Sequence, residues 1–144
     1  MFKVVGHLCV TLERILMSKI LEDWYRRKLN DENNKLVKTH TITEVYLKQS
    51  CVSQYGKITL SVSPSNIFQF ESKVDWSKKN GDDIFEISII DGLIDEIMSS
   101  MSQKRILLGI KVVLEDVDVH PIGSSQLAFY MVARNAMRKV ISNA

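Results

Sequence analysis

The sequence is poor in the residues that would assign it to several common classes of protein. Its 144 residues include only two cysteines, Cys9 and Cys51, together with two prolines and six glycines. The two cysteines match neither a zinc-ligand spacing nor a disulfide framework, which favours a reducing compartment. Lysine and arginine number 19 against 17 aspartate and glutamate, so any nucleic-acid binding must come from a local basic patch.

Long apolar runs and familiar motifs are also missing. No run approaches the roughly 20 apolar residues of a membrane helix, so we expect no membrane partner. The start, Met1–His7, becomes polar too early for a signal peptide, and it is not rich in arginine or serine as a transit peptide is. The sequence has no phosphate loop, no dinucleotide-binding glycine motif and no His-Glu-x-x-His zinc motif. We therefore expect no catalytic apparatus, metal or cofactor in this chain.

The composition is that of one globular domain with a single core, 45% hydrophobic and 25% charged. Ahead of it, apolar residues four apart predict a helix over about residues 8–29, on the face of Leu8, Leu12, Leu16, Ile20 and Trp24. The polar stretch 30–35 has no periodicity and predicts a linker. We divide the chain into residues 1–38, a separate N-terminal helix with its linker, and residues 39–144.

Beyond the linker, the periodicity of the apolar residues predicts an α+β fold in the order β-β-β-α-β-α. Alternation predicts strands over about 42–47, 58–63 and 68–74, and an exposed loop over 76–83. A helix capped by Asp82 or Asp83 follows, and then a central strand over about 107–114. The stripe of that helix, which we assign to the core, is Ile87, Ile90, Leu93, Ile94, Ile97, Met98 and Met101. We expect two layers, with both helices on one face of the sheet.

The stretch from His120 to Phe129 leads from the last strand into the last helix, which runs to about Ile141. One face of that helix is apolar and comprises Phe129, Val132, Ala133, Ala136, Met137 and Val140. Ser124 or Ser125 is suited to cap its first turn. A phosphate at the helix N-terminus is the alternative. We favour the cap, because capped helix starts are much the commoner.

Two chemical interpretations of the same region remain as alternatives. Asp116, Asp118 and His120 share one face of a strand and present three metal ligands, but a solvated strand end accounts for them better. His120 with Ser124 or Ser125 suggests a nucleophile pair, yet nothing resembles a nucleophile elbow. A small metal- or Ser-dependent hydrolase is thus the weakest of the functional hypotheses.

His120–Phe129 resembles the loop and helix start near the tip of domain IV in elongation factor G and its relatives. In that family a His opens the loop, a Ser-Ser pair starts the helix and Leu-Ala-Phe follows, as at His120, Ser124–Ser125 and 127–129 here. Lys48-Gln49-Ser50 and then Gln54–Lys57 resemble the other tip loop and the strand after it. Gly6–Leu8 weakly resembles the last helix of domain III. The resemblance implies that 39–144 is domain IV and that 1–38 is a domain III remnant.

The tip sequences depart from the family pattern in ways that leave the subfamily open. Pro121 and Gly123 stand where elongation factor G usually has acidic residues, and Cys51–Ser53 replaces a Gly-rich run containing arginine. A His-Pro start resembles the mitochondrial ribosome-releasing relative. Lys48–Ser50 is more similar to the translocase. The expected compartment is accordingly mitochondrial or cytoplasmic.

The resemblance implies a ribosome-binding module that inserts its tip loops at the small-subunit decoding region during translocation or ribosome recycling. Its partners would be small-subunit rRNA, tRNA and mRNA, with the chain acting as a monomer. The chain itself would not be an enzyme, since GTP and magnesium belong to the family's GTPase domain. The implied tip residues are Lys48, Gln49, Ser50, Ser53, Gln54, Tyr55, Gly56, Lys57, His120, Pro121, Ile122, Gly123, Ser124 and Ser125.

Two further expectations concern the tip and the topology. We expect Lys48, Lys57 and His120 to converge if the two tip loops are neighbours. The resemblance also implies a left-handed βαβ crossover, against the general right-handed rule. The alternative function, of a different class, is an α+β protein–protein interaction module unrelated to translation, which would dock a partner on an exposed helix face.

Overall fold

A computed structural model describes residues 18–24, 26–27, 38–49, 53–100 and 109–143. Helix α1 comprises the described residues 18–24 and 26–27. The other elements, in chain order, are β1 (His40–Lys48), β2 (Gln54–Pro64), β3 (Gln69–Ser72), α2 (Ile84–Ser99), β4 (Ile110–Asp118) and α3 (Gln126–Asn143). Their order confirms the predicted α+β arrangement. Within these ranges, none of the helices combines the length and apolar character needed to cross a membrane.

The four strands form one mixed sheet in the order β1-β2-β4-β3. β1 and β4 flank β2, and both run antiparallel to it. β3 lies parallel to β4 on the far edge, and α2 connects the two. This βαβ unit is the one for which the resemblance implies a left-handed crossover, and the hand stays a prediction. The β2–β4 register shifts between Thr59 and Leu60, where β4 carries a bulge.

The core lies on one face of this sheet. Ile58, Leu60 and Val62 of β2 are fully buried, as are Ile110, Val112 and Leu114 of β4. Residues two apart share a face of a strand, so these side chains form a single apolar surface. Helices α2 and α3 contribute buried residues to the same cluster. Both helices therefore cover one face, which confirms the two-layer arrangement.

Helix α3 buries the stripe that its spacing predicted. Phe129, Val132, Ala133, Ala136, Met137 and Val140 are all completely buried. The i, i+3, i+4 pattern was clear here because most of the rest of the helix surface is polar, although Leu127 and Met131 are apolar positions outside the stripe.

The predicted core stripe of α2 is wrong in three of its positions. Leu93 and Ile97 are buried, but Ile87, Ile94 and Met98 are exposed; Ile90 is half-buried, and Met101 lies outside the described residues. The buried face is instead Ser88, Ile89, Gly92, Leu93, Glu96 and Ile97. α2 is apolar around most of its circumference, so contacts with α3 determine which side turns inward. Of the two predicted caps, Asp82 Oδ1 accepts the Ile84 N–H at 3.1 Å, whereas the Asp83 side chain makes no capping hydrogen bond.

The loop before α2 was predicted to be exposed, and for Trp76 this is wrong. Trp76 is buried, with its ring edge-on to Phe85 at 6.0 Å and to Phe129 at 5.8 Å. Phe85 and Phe129 stack at 4.9 Å. Because the sequence neighbours of Trp76 are polar, the composition of this stretch predicted an exposed loop, although Trp76 is a core residue. This aromatic trio fixes the first turns of both helices against each other.

Helix α1 makes contact with the domain through Trp24, which is partly buried and packs against the core cluster. The predicted helix over 8–29 is therefore described only in its C-terminal part. The remainder of it and the predicted linker at 30–35 lie outside the described residues. The division between 1–38 and 39–144 stays a prediction.

A nearly buried carboxylate joins α2 to α3. Glu96 accepts hydrogen bonds at 3.0 Å from Arg134 Nε and from Arg138 Nε. Burial alone would raise the pKa of Glu96, but the bonds from Arg138 and Arg134 outweigh it and hold that pKa below its ordinary value. This carboxylate therefore stabilises the fold above its unfolded-state pKa, and the stabilisation is lost as pH falls through the lowered pKa.

We expect Glu96→Gln to lower the free energy of unfolding by about 1–3 kcal/mol at pH 7, because it removes a charge that two arginines bind. The difference should shrink in acid, where the wild-type carboxyl is also protonated. Urea unfolding at neutral and acidic pH measures both. Glu71→Gln is the control, since the Glu71–Lys111 pair is largely exposed and should contribute little. Equal effects of the two substitutions at pH 7 would contradict the assignment.

Candidate functional site

The β1–β2 hairpin and the loop before α3 meet at one end of the molecule. The Tyr55 N–H donates to the Gly123 carbonyl at 2.8 Å. Ser124 Oγ donates to the Tyr55 carbonyl at 2.9 Å. The structure thus brings the two sequence segments that resemble tip loops side by side, and we call the described residues 48–49, 53–56 and 120–125 the tip.

The loop of residues 120–124 closes on the His120 side chain. Nδ1 accepts the N–H groups of Gly123 at 3.1 Å and Ile122 at 3.3 Å. Because Nδ1 acts as an acceptor, the imidazole proton of the neutral ring is assigned to Nε2. His120 N–H in turn donates to Ser124 Oγ at 2.7 Å. Ser124 Oγ is engaged with backbone groups rather than with the imidazole, so the two side chains do not form a nucleophile pair.

Ser125 caps the helix that follows. Its Oγ accepts the Ala128 N–H at 3.1 Å, and its carbonyl accepts the Phe129 N–H at 3.1 Å. The two serines are therefore divided in role, with Ser125 starting α3 and Ser124 pinning the loop to β2. Gly56 allows this helix start to lie directly on β2, because a Cβ at residue 56 would come within 3.2 Å of the Ala128 carbonyl oxygen.

Tyr55 connects the tip to the end of β4, a role that the sequence did not suggest. Its hydroxyl donates to Asp118 Oδ2 at 2.8 Å, and its ring lies edge-on to His120 at 6.2 Å. Burial, the hydrogen bond to Asp118 and the charge of that carboxylate all raise the pKa of Tyr55. Tyr55 therefore stays a neutral donor at physiological pH.

The carboxylates considered as metal ligands have protein partners instead. Asp116 pairs with Lys79 at 2.7 Å, and the hydrogen bond from Lys79 lowers the pKa of Asp116. Asp118 accepts from Tyr55, while His120 lies beyond the end of β4. In the part of the chain that the structure describes, no group of three His, Cys, Asp or Glu side chains is placed to hold a metal ion.

The predicted convergence of Lys48, Lys57 and His120 is wrong. Lys48 pairs across the hairpin with Gln54, whereas Lys57 pairs with Val45 and, on its other side, with Asp118. Partners on neighbouring strands point to the same face, so Lys57 shares the face of Val45. Lys48 lies three positions from Val45 in β1, so its side chain points to the opposite face of the sheet. Lys57 lies on the open face beside carboxylates, and its charge helps to lower the pKa of Asp116.

Some of the predicted tip residues are buried or partly buried within the tip, and others are exposed on its surface. Gly56 and Gly123 are buried, and Gln54, Tyr55, Ser124 and Ser125 are partly buried. The presented set is Lys48, Gln49, Ser53, His120, Pro121 and Ile122, with Ile122 88% exposed. Lys57 belongs to the open sheet face, and Ser50 lies outside the described residues.

Sequence comparison identifies the family. The pattern described as "Elongation factor G, domain IV" matches residues 32–144. The chain belongs to the elongation factor G domain IV family. Domain IV is a non-catalytic domain of a translational GTPase.

A comparison with solved structures supports the same fold. A crystal structure of a protein from Thermus thermophilus is similar, with a TM-score of 0.66 and 24% sequence identity. The match covers 76% of this chain and 16% of that chain, so the chain spans about one-sixth of its structural neighbour. No curated protein matches the sequence.

Proposed function

We propose that this domain IV inserts its tip at the decoding region of the small ribosomal subunit, during translocation or ribosome recycling. It would contact small-subunit rRNA, tRNA and mRNA as a monomer, in mitochondria or in the cytoplasm. GTP and magnesium would act through the family's GTPase domain. The observation that carries the proposal is the pinned tip at the end of the β1–β2 hairpin.

The tip is built to keep its shape on contact. Hydrogen bonds from Tyr55 and Ser124 fasten the loop to the hairpin, and His120 Nδ1 holds the turn closed. Hydrogen bonds thus hold the described backbone of residues 55 and 120–124 in one arrangement. A preorganised surface loses little conformational entropy when it enters a crowded RNA site, which suits a module acting as a wedge.

The chemistry presented at the tip suits RNA better than a small-molecule substrate. His120 offers its Nε2–H, and Lys48, Gln49 and Ser53 are exposed polar side chains. Such groups can bind phosphate oxygens and ribose hydroxyls. Only one lysine is presented among the described tip residues, so binding through them alone should be weak and should depend little on salt.

Substituting Lys48 and Lys57 one at a time distinguishes binding through the tip from binding through the open sheet face. Lys48→Glu should reduce the salt slope of binding to small ribosomal subunits by roughly one unit, because one phosphate contact is lost. Lys57→Glu is the matched control, since Lys57 faces Asp118 across the strands and should change the slope much less. Co-sedimentation of the full chain with subunits at several salt concentrations measures both. Equal losses, or no loss from Lys48→Glu, would exclude the tip as the contact surface.

A further inference from the structure

Helix α2 carries an apolar seam that faces away from the core. Ile84, Ile87, Ile94 and Met98 are 39%, 59%, 41% and 46% exposed. With Asp91 they form a series whose intervals alternate between three and four residues, which is the a/d spacing of a heptad repeat. We call Ile84, Ile87, Asp91, Ile94 and Met98 the α2 seam. It spans about 21 Å along the helix, which is enough for a second helix to pack along it.

The region around the α2 seam is acidic. Residues 82–100 contain no lysine or arginine, and their carboxylates are Asp82, Asp83, Glu86, Asp91, Asp95 and Glu96. α3 engages two of these, since Arg134 and Arg138 bind Glu96 and the Tyr130 hydroxyl donates to Asp95. Asp91 stays exposed in the middle of the seam. This charge repels RNA and anionic membranes, so the surface fits a cationic partner.

The α2 seam adjoins a shallow groove between the two helices. Ser88, Asp91 and Asp95 line its α2 side, and Leu127 and Tyr130 line its α3 side. Leu127 is 52% exposed and adds an apolar wall opposite the seam. The exposed apolar side chains of the seam, with the acidic groove beside them, form the arrangement that binds an amphipathic helix through anchors at i, i+3, i+4 and i+7.

We propose that the α2 seam binds a basic amphipathic helix of a partner protein, with a lysine or arginine set against Asp91. Docking would remove Asp91 from water, and a buried carboxylate without a cation is strongly unfavourable. A second copy of this chain does not satisfy it. The seam contains no lysine or arginine, so pairing of two copies along it leaves Asp91 without a cation. A parallel in-register pair places Asp91 against Asp91, and an antiparallel pair places it against Ile87 or Ile94 of the other copy. The inference does not depend on the tip.

The proposal is tested with two synthetic helical peptides of about three heptads, identical except for Lys or Glu at the central a position. Fluorescence anisotropy with the full chain should show a preference of roughly tenfold or more for the Lys peptide. Asp91→Lys should reverse this preference. Ile87→Ser combined with Ile94→Ser should weaken binding of the Lys peptide at least about tenfold. Leu47→Ser is the control, since Leu47 is an exposed apolar residue of β1 outside the seam, and it should leave binding unchanged.

Failure of the Lys peptide to bind would overturn the proposal, and so would an unchanged preference after Asp91→Lys. Equal losses from the seam variant and from Leu47→Ser would show nonspecific adhesion and would also overturn it. Sedimentation equilibrium of the chain alone should give a monomer. A dimer that Ile87→Ser dissolves would assign the seam to a second copy instead.

Discussion

Phe129→Ala should lower the free energy of unfolding by about 3–5 kcal/mol, as other buried phenylalanines do when truncated. Phe129 is completely buried and lies at the centre of the aromatic trio with Trp76 and Phe85. Its removal would leave a cavity below the first turn of α3, the turn that Ser125 caps. The tip should therefore lose its fixed geometry along with the stability. Equilibrium denaturation by urea measures the loss.

Leu127→Ala is the matched control for Phe129→Ala. Both positions belong to the Leu-Ala-Phe segment at the start of α3, but the Leu127 side chain is half exposed. We expect a loss below about 1 kcal/mol there. Comparable losses at the two positions would contradict the orientation of α3 described above.

Gly92→Ala should destabilise the protein by about 1–3 kcal/mol, although alanine is normally the better helix former. A Cβ at residue 92 would lie 2.5 Å from the Tyr130 carbonyl oxygen and 2.9 Å from Ala133 Cβ. The obstacle is the α3 backbone, so α2 and α3 would have to move apart. That movement would also weaken the bonds of Glu96 to Arg134 and Arg138. Thermal and urea unfolding report the change.

Asp91→Ala provides the comparison for Gly92→Ala on the adjacent, exposed position of α2. It introduces the same residue without a steric conflict, and its effect should lie within about 0.5 kcal/mol of zero. A neutral or stabilising Gly92→Ala would mean that the two helices are not packed as closely as described.

The periodicity of the sequence predicted the elements of the fold well where one pattern dominated. In α3, Arg134, Arg138 and Lys139 lie outside the stripe that begins at Phe129, so only that continuous apolar face could turn inward. In α2, apolar residues surround the helix, and periodicity alone could not choose between two stripes. The choice depends on Gly92 and Glu96, whose partners lie on α3, about forty positions away in the chain. Trp76 was missed for a similar reason, because its partners are distant and its neighbours are polar.

The sequence predicted which segments form the candidate site, but it did not predict the hydrogen bonds within that site. Resemblance to elongation factor G pointed to the two stretches that the fold brings together. It could not show that Ser124 and Ser125 have different roles, or that Tyr55 binds Asp118. The wrong prediction for Lys57 could have been avoided from the sequence. Side chains alternate along β2, so Lys57 lies on the face of the sheet opposite to that of the fully buried Ile58.

Directed hydroxyl-radical probing from the tip tests the central claim most directly. An iron chelate is attached at Ile122→Cys in a chain that also carries Cys9→Ser and Cys51→Ser, and the complex with small ribosomal subunits is probed. Ile67→Cys is the control, because Ile67 is exposed in the β2–β3 connection at the opposite end of the sheet. Our account predicts rRNA cleavage at the decoding region from residue 122 and none there from residue 67. Cleavage at the decoding region from residue 67 but not from residue 122, or from neither, would contradict it.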